Sequence, residues 1–477
     1  MSSLGLKFRK RGKNLVFSSL TFWFIYLPVV LLCYYIVPLK ARNWVLFFVS
    51  LAFYGWGEPM YILLMLFTIL INYGAGMIIN KVYSRPAKRA WLIISVVLNL
   101  SFLVFFKYSG MIVSTLNLLP FVNIAFEVPA LPIGISFYTF QAMSYTIDVY
   151  RKECSVQKNP MLLGTYVTLF PQLIAGPIVR YTDVETQLTA RTHSLEKFKS
   201  GVVLFLCGMG KKVLLANQFA LMFRNLSGVS ENLGFVSGWA GLLALSLQIY
   251  FDFSGYSDMA RGLGRMIGFE FMENFNYPYI SRSITDFWRR WHISLSTWFR
   301  DYVYIPLGGN RLGFPRQILN LFVVWFLTGL WHGAAYNFVL WGLYFFLILV
   351  MEKLFLLKFL EKLPKAMRHI YAILLIMIGW AIFSFDTLEG LSTMFSSLFG
   401  FGGMGASEAQ LSVILSYAPV CVVGCILSAP VAKLAAGKIR NLKLAWVIES
   451  VFCIAIMLLC TASLVSESYN PFIYFRF

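Results

Sequence analysis

Residues 327–350 of the chain read LTGLWHGAAYNFVLWGLYFFLILV, a stretch without Lys, Arg, Asp or Glu. It covers the end of one apolar segment, 317–331, and most of the next, 334–353. Segments of about 20 predominantly apolar residues are typical of helices that cross a lipid bilayer. The stretch therefore predicts membrane-embedded helices, and it places one histidine, His332, within the membrane.

Similar apolar segments recur along the whole chain, although several are short or interrupted. They lie at residues 20–37, 44–55, 59–79, 90–106, 161–175, 201–221, 236–251, 317–331, 334–353, 369–384, 411–430 and 444–465. We predict an all-α, polytopic integral membrane protein of about 11 or 12 transmembrane helices, with additional re-entrant and interfacial helices. All of it is expected to form a single transmembrane domain over residues 1–477.

The composition supports this class of protein. The 477 residues are 59% hydrophobic and only 13% charged, whereas soluble domains carry charge on roughly a quarter of their residues. The deficit extends along the whole chain, which excludes a soluble enzyme with one membrane anchor. Contact with membrane lipids is therefore expected.

The formal net charge of +19 does not indicate a nucleic-acid partner. The Lys and Arg side chains occur in short clusters between apolar segments, as they do where cationic loops are retained on the cytoplasmic side of a membrane. One cluster lies between residues 7 and 13, and another lies between Arg282 and Arg316. We expect the second cluster to form a cytoplasmic or interfacial surface. The side of the membrane on which the first cluster lies stays open.

The seven cysteines do not predict a disulfide framework or a metal centre. None forms a CxxC pair, and most lie in apolar stretches, where cysteine behaves as a small hydrophobic residue. Cys421 and Cys425 share a helical face, but no His or carboxylate accompanies them. We predict no bound metal.

Polar residues embedded in apolar stretches are candidates for function, because a buried ionisable group needs a partner or a cavity. Residues 131–151 contain Gln141 and Asp148 and resemble a broken or re-entrant helix that lines a protein interior. Residues 250–264 contain Asp252, Ser254 and Asp258. A hydrogen-bonded polar seam between buried helices is the alternative for Asp252 and Asp258. The second stretch does not match a GxSxG nucleophile elbow, because Asp252 stands where glycine is required.

His332 is the strongest candidate for chemistry. A neutral imidazole accepts a proton from an attacking hydroxyl, as acyl transfer from a thioester to an alcohol requires. Gly329, Gly333 and Ala334 are expected to leave room for a ligand beside it. The alternative is a core histidine hydrogen-bonded to a backbone carbonyl.

Seven segments, in the same order along the chain, resemble the membrane-bound O-acyltransferase family, and specifically its bacterial branch of alginate and peptidoglycan O-acetyltransferase membrane subunits. They are VFSSLTF (16–22), LPIGISFYTFQAMSYTIDVYR (131–151), LFPQLIAGPIVRY (169–181), FDFSGYSDMARGLG (251–264), FWRRWHISLSTWFRDYVYIPLGGNR (287–311), LTGLWHGAAYNFVLWG (327–342) and NPFIYFRF (470–477). Several long matches in order are more specific than any single motif.

The resemblance implies a ring of helices around a funnel open to the cytoplasm, with the catalytic segment at residues 250–345. It implies that His332 is the catalytic histidine and that His292 either acts on the donor or carbonyl, or holds helices together. The implied acyl donor is acetyl-CoA, which is a substrate and not a tightly bound cofactor. Five residues of the basic segment are expected to contact it: Trp288, Arg289, Arg290, Asn310 and Arg311.

The resemblance further implies a bacterial cytoplasmic (inner) membrane protein. Its partner would be an extracytoplasmic SGNH/GDSL-like acetyltransferase, through which the acetyl group reaches a polysaccharide. Residues 444–477 would form a C-terminal helix and a terminal motif similar to the partner peptide of D-alanyl-transferring relatives. Tyr474 in that motif is either a transient acyl carrier or an aromatic interfacial anchor.

Two other functions stay open at this point. Broken helices with buried polar residues also suit a transporter or flippase for an envelope polymer, although the halves of the chain show no clear repeat. A relative that acylates lipids or proteins would keep the chemistry and change the acceptor.

Overall fold

A computed structural model describes residues 15–174, 176–229, 233–439 and 441–466. Within these ranges the chain forms helices and no β-strand. The first eleven helices are α1 (Leu27–Ile36), α2 (Arg42–Gly57), α3 (Ile62–Lys81), α4 (Arg85–Leu103), α5 (Ser109–Leu116), α6 (Ile135–Arg151), α7 (Pro160–Thr168), α8 (Phe170–Leu173), α9 (Tyr181–Thr189), α10 (Leu195–Gly210) and α11 (Asn217–Val229). The others are α12 (Phe235–Met266), α13 (Ile284–Arg290), α14 (Ile293–Phe299), α15 (Phe314–His332), α16 (Tyr336–Met351), α17 (Leu357–Leu360), α18 (Lys365–Ser384), α19 (Leu388–Leu398), α20 (Glu408–Leu427), α21 (Val431–Ile439) and α22 (Ala445–Ser466).

Six helical segments of the described chain are long and apolar enough to cross a membrane. They are Pro59–Lys81, Arg85–Leu116, Tyr336–Leu360, Lys365–Ser384, Glu408–Leu427 and Ala445–Ser466. The predicted all-α, polytopic membrane architecture is confirmed, and each predicted apolar segment overlaps a helix. The total of 11 or 12 transmembrane helices stays a prediction, because the remaining helices are shorter or more polar.

The chain divides into two compact units. Unit 1 comprises Met1–Phe106, Pro129–Lys199 and Leu263–Glu270, and unit 2 comprises Lys107–Val128, Ser200–Gly262 and Phe271–Phe477. The predicted catalytic segment, 250–345, falls almost entirely in unit 2. The single transmembrane domain expected over the whole chain stays a prediction.

In unit 1, helices α3, α4 and α6 pack through polar as well as apolar side chains. The buried amide of Asn72 accepts hydrogen bonds from Ser95 (3.2 Å) and Thr146 (2.8 Å) and donates one to Asn99 (3.0 Å). Such bonds join helices in a membrane, where water is not available to satisfy polar groups. Helix α6 is continuous over its 17 residues, so the break expected in 131–151 is limited to the turn at Gly134, whose φ is +74°.

In unit 2, α15 and α16 form an antiparallel pair with very close backbones. A Cβ atom at Gly329 would meet the carbonyl oxygen of Phe338, and one at Gly342 would meet that of Trp325. Glycine removes these clashes and lets the two helices approach each other, as small residues do in membrane proteins.

Among the residues that the structure describes, five short π-helical turns interrupt the α-helical pattern: Phe22–Tyr26, Val104–Tyr108, Lys211–Ala216, Arg300–Tyr304 and Glu352–Leu356. A π-helical turn inserts an extra residue and changes which side chains face the protein interior. Three of these turns carry a charged side chain that is almost fully buried: Lys107, Lys212 and Glu352. The apolar periodicity of the sequence does not predict such turns.

Residues 284–299 form two short helices, α13 and α14. The chain breaks at His292, whose φ of +44° lies in the left-handed region. Phe287, Trp291 and Trp298 are buried. These aromatic side chains pack within the protein core.

Replacing Gly342 with Ala tests the close approach of α15 and α16. The added methyl group meets the backbone oxygen of Trp325, which cannot rotate away, so we expect a loss of about 1–3 kcal/mol in the free energy of unfolding. Thermal unfolding of the detergent-solubilised protein measures this as a lower midpoint. Gly437→Ala is the matched control, because nothing lies within 4 Å of a Cβ there. Equal midpoints for both variants would contradict the packing.

Candidate active site around His332

His332 is the last residue of α15 and lies within unit 2 with 5% of its surface exposed. Three aromatic rings surround its imidazole edge to face. The ring centroids lie 4.8 Å from Trp341, 5.0 Å from Trp331 and 5.3 Å from Phe383. The Nδ1 atom has no hydrogen-bond partner in the described part of the chain. The alternative interpretation, a structural core histidine, requires a hydrogen bond to a backbone carbonyl. Nδ1 of His332 makes no such bond within the described ranges.

The imidazole faces a small cavity of about 20 Å³, whose walls are largely aromatic. Its lining residues are Ile249, Asp252, Phe253, Trp291, His332, Trp341, Trp380 and Phe383. A volume of this size holds about one water molecule. His332 and Asp252, two residues selected from the sequence, are therefore brought together at one cavity.

The C-terminal end of α15 is held by two side chains from one turn of the chain. The Lys107 ammonium donates hydrogen bonds to the carbonyl oxygens of Trp331 and His332, and the Tyr108 hydroxyl donates to that of Leu330. The last carbonyls of a helix lack partners within it, and a cation there also interacts favourably with the helix dipole. Lys107 thus fixes the backbone that carries the imidazole.

The glycines near His332 do not leave room for a ligand. A Cβ atom at Gly329 or Gly333 would collide with Phe338, whose ring and backbone fill the space beside both residues. The expectation of an open space at these positions is wrong, because α16 packs against it. The cavity lies instead on the side of His332 that faces Asp252 and Trp380.

His292 is 1% exposed and occupies the left-handed break between α13 and α14. Its Nδ1 lies 3.3 Å from the amide oxygen of Asn274, which also accepts hydrogen bonds from the backbone and the hydroxyl of Ser294. The Nε2 atom has no partner among the described residues. One nitrogen is therefore held and the other is available, and the ring centroid lies 5.8 Å from that of Trp331.

A buried carboxylate anchors the helix that leads to His292. Glu352 accepts hydrogen bonds from the backbone N–H groups of Ile284 and Thr285 at the start of α13, and from the hydroxyls of Thr285 and Tyr371. These donors satisfy a charge that is only 1% exposed. The π-helical turn at Glu352 is therefore what docks α13.

The three polar residues selected from 250–264 have different surroundings on α12. Asp252 pairs with Lys212 at 2.7 Å, and both side chains are 2% exposed. Asp258 is bound by Lys211 (2.6 Å) and Arg261 (3.3 Å), in the geometry of a structural ion network. The hydroxyl of Ser254 is buried and does not line the cavity. Of the three, only Asp252 lies at the cavity with His332.

Gln141 and Asp148 lie on α6 in unit 1 and are fully buried. Neither the amide oxygen nor the amide nitrogen of Gln141 has a hydrogen-bond partner in the described ranges. Their expected position in a protein interior agrees with this burial. Their role in lining a funnel stays a prediction.

The residues expected to contact the acyl donor differ in their exposure and in their partners within the protein. Arg289, Asn310 and Arg311 are exposed, whereas Arg290 pairs with Asp286 at 2.8 Å. Trp288 packs against Trp325, with 4.6 Å between ring centroids. The contact of these residues with a donor stays a prediction.

Tyr474 lies outside the described residues. Among those that are described, no group of three or more His, Cys, Asp or Glu side chains has the arrangement of a metal site.

Comparison with known proteins identifies the family. Residues 102–389 match the membrane-bound O-acyltransferase family. The chain belongs to this family. That range includes Lys107, Asp252, His292 and His332, so the candidate site lies within the matched region. The protein is therefore a multi-pass membrane acyltransferase.

Relatives place the chain within the AlgI-like branch. It is 39% identical to the probable alginate O-acetylase AlgI of Azotobacter vinelandii, over 97% of this chain and all of that protein. It is 33% identical to the peptidoglycan O-acetyltransferase of Helicobacter pylori, over 82% and 81% of the two chains. The teichoic acid D-alanyltransferase of Bacillus subtilis is 30% identical over 44% of this chain and 56% of its own length.

Sequence reasoning missed Lys107, Lys212, Asn274 and Glu352, the polar residues that hold the site. The signal available was a charged residue in a strongly apolar stretch, as for Lys107 in LVFFKYSG. Such a residue is expected to face the protein interior and find partners there.

Replacing Lys107 with Met tests its effect on the site. The variant leaves the carbonyls of Trp331 and His332 without a donor, and we expect acyl transfer to fall about tenfold or more. Transfer of a radiolabelled acyl group in membrane vesicles measures the loss. Lys358→Met, which removes an exposed lysine, is the control and should keep wild-type activity. A fully active Lys107→Met variant would contradict the role of Lys107 at the C-terminal end of α15.

Proposed function

We propose that the protein moves an acetyl group from a thioester donor to a hydroxyl and supplies it for O-acetylation of an extracytoplasmic polysaccharide. The observation that supports this reaction is the imidazole of His332, which faces a buried cavity with Nδ1 unpartnered among the described residues. The acceptor follows from the alginate and peptidoglycan O-acetyltransferases among the relatives.

His332 acts as the general base in the proposed reaction. The hydroxyl oxygen attacks the thioester carbonyl carbon while its proton passes to the imidazole. The C–S bond then breaks, and the proton passes to the departing thiolate. The products are an ester and a free thiol. Aromatic walls exclude bulk water, which would otherwise hydrolyse the thioester.

The Lys212–Asp252 ion pair and His292 supply the polar part of the site. Asp252 lies at the cavity wall, where its carboxylate is paired with Lys212 at 2.7 Å. Because Nδ1 of His292 donates to the amide oxygen of Asn274, the unpartnered Nε2 of the neutral ring is a hydrogen-bond acceptor, which suits it to orienting a donor group in the site.

The proposed donor is acetyl-CoA from the cytoplasm, bound as a substrate. Exposed cationic and amide side chains at Arg289, Asn310 and Arg311 suit its phosphates. The proposed location is the bacterial inner membrane, with helices around a funnel that admits the donor. An SGNH/GDSL-like transferase on the outer side is the proposed partner that completes the transfer to the polysaccharide.

Replacing His332 with Ala tests both the reaction and the acceptor. In cells that lack the native gene, we expect the variant to reach normal membrane abundance and to lose at least about 100-fold in transfer. Mass spectrometry of envelope glycans and membrane lipids measures ester content. The expected result is a loss of glycan acetyl esters with an unchanged lipid profile.

His369→Ala is the matched control, because His369 is in the same unit, its Nδ1 lies 3.2 Å from the carbonyl oxygen of Ser281, and it does not line the cavity. It should keep its activity. Full glycan acetylation by His332→Ala would contradict the assignment of the base. A changed lipid profile with intact glycan esters would instead assign a lipid acceptor.

Tyr474 is proposed as a transient acyl carrier between His332 and the partner. Its phenol would attack the thioester carbonyl, release the thiol and form an aryl ester, which is a reactive acyl donor. Tyr474→Phe removes only the hydroxyl oxygen, so it should abolish glycan acetylation while leaving membrane abundance normal. Retained glycan esters would leave Tyr474 as an aromatic interfacial anchor.

A further inference from the structure

The cavity beside His332 is small for a site of acyl transfer. Its volume of about 20 Å³ holds about one water molecule. A methyl group is close to a water molecule in size, and the largely aromatic wall suits an apolar group better than a polar one. The acyl part of an acetyl thioester ends in a methyl group, which therefore matches the cavity in both size and polarity.

Part of the cavity wall consists of aromatic rings that hold one another in place. Trp380 is almost fully buried, and its ring centroid lies 4.8 Å from that of Trp291 and 5.8 Å from that of Phe383. The backbone of Phe383 is also held, because the Asn337 amide donates to its carbonyl oxygen at 2.8 Å. Buried rings in mutual contact move apart only by opening a void elsewhere. The wall therefore resists a group larger than the cavity.

A chain of hydrogen bonds joins two of the helices that line the cavity. Trp380 on α18 donates from Nε1 to the hydroxyl of Tyr279 (3.0 Å), and that hydroxyl donates to the backbone carbonyl of Ser246 (2.6 Å). Ser246 precedes Ile249 by three residues on α12, so it lies about one helical turn from another residue of the cavity wall. These bonds hold the Trp380 ring and α12 at a fixed separation, which sets the width of the cavity.

We propose that Trp380 and Ile249 determine the length of the acyl group that the protein transfers and limit it to acetyl. The methyl group lies in the cavity, and the carbonyl carbon then lies beside the His332 imidazole. A propionyl group is longer by one methylene, which has to displace the Trp380 ring or the Ile249 side chain. This inference rests on the proposed acyl transfer and adds to it the residues that select the acyl group.

Competition between two thioesters tests the size limit. Membrane vesicles that retain envelope glycan receive acetyl-CoA and propionyl-CoA in equal amounts, and mass spectrometry measures the ratio of acetyl to propionyl esters on the glycan. In the wild type this ratio should be at least about ten, because one methylene in an apolar pocket is discriminated about 10- to 200-fold. In Trp380→Phe and in Ile249→Ala, which both enlarge the cavity, the ratio should fall at least about fivefold.

Ile376→Ala is the matched control for Ile249→Ala. Ile376 is also almost fully buried in unit 2, lies about one turn from Trp380 on α18, and is not among the residues that line the cavity. Both substitutions remove the same side-chain atoms, so a general loosening of the core would change the two variants alike. The control should keep the wild-type ratio of acetyl to propionyl esters.

The outcomes separate the size limit from the proposed function. Acetyl esters that depend on His332, formed with the same ratio in the wild type, Trp380→Phe and Ile249→Ala, would overturn the size limit alone. Equal transfer of acetyl and propionyl groups by the wild type would also overturn it, as would equal changes in Ile249→Ala and Ile376→Ala. Absence of either ester from the glycan in the wild type would contradict the proposed function itself, and this inference with it.

Discussion

The end of α15 depends on hydrogen bonds that reach it from outside the helix. A helix that stops within an apolar interior leaves its last carbonyls without partners, and in a membrane protein water does not satisfy them. Lys107 and Tyr108 provide the missing donors for Leu330, Trp331 and His332. The position of the imidazole is therefore set by a contact between segments more than 200 residues apart in the chain.

Buried charged side chains also hold the other parts of the site. Glu352 holds the start of α13, and Lys212 neutralises Asp252 beside the cavity. Lys107, Lys212 and Glu352 each lie in a π-helical turn. Such turns place a long polar side chain inward from a helix whose other residues follow the apolar pattern. The candidate active site is thus held together by side chains from π-helical turns in otherwise regular helices.

Glycine determines how closely the helices that carry these points can pack. Gly329, Gly333 and Gly342 lie where a side chain would strike Phe338 or Trp325. The space that the sequence predicts for a ligand beside Gly329 and Gly333 is occupied by the neighbouring helix. The cavity is formed instead by large aromatic rings, which cannot interpenetrate and leave a gap beside His332.

The sequence by itself determined the all-α membrane class, the helical segments, the family and the importance of His332. These follow from apolar length, local pattern and residue order, which are properties of a single stretch of chain. Only the tertiary structure decided which polar residues meet: Asp252 lies with His332, whereas Asp258 is bound by Lys211. It also located the break at His292 and the partners of Lys107. The reason is that a buried charge is stabilised by groups distant in sequence, and helical periodicity carries no information about them.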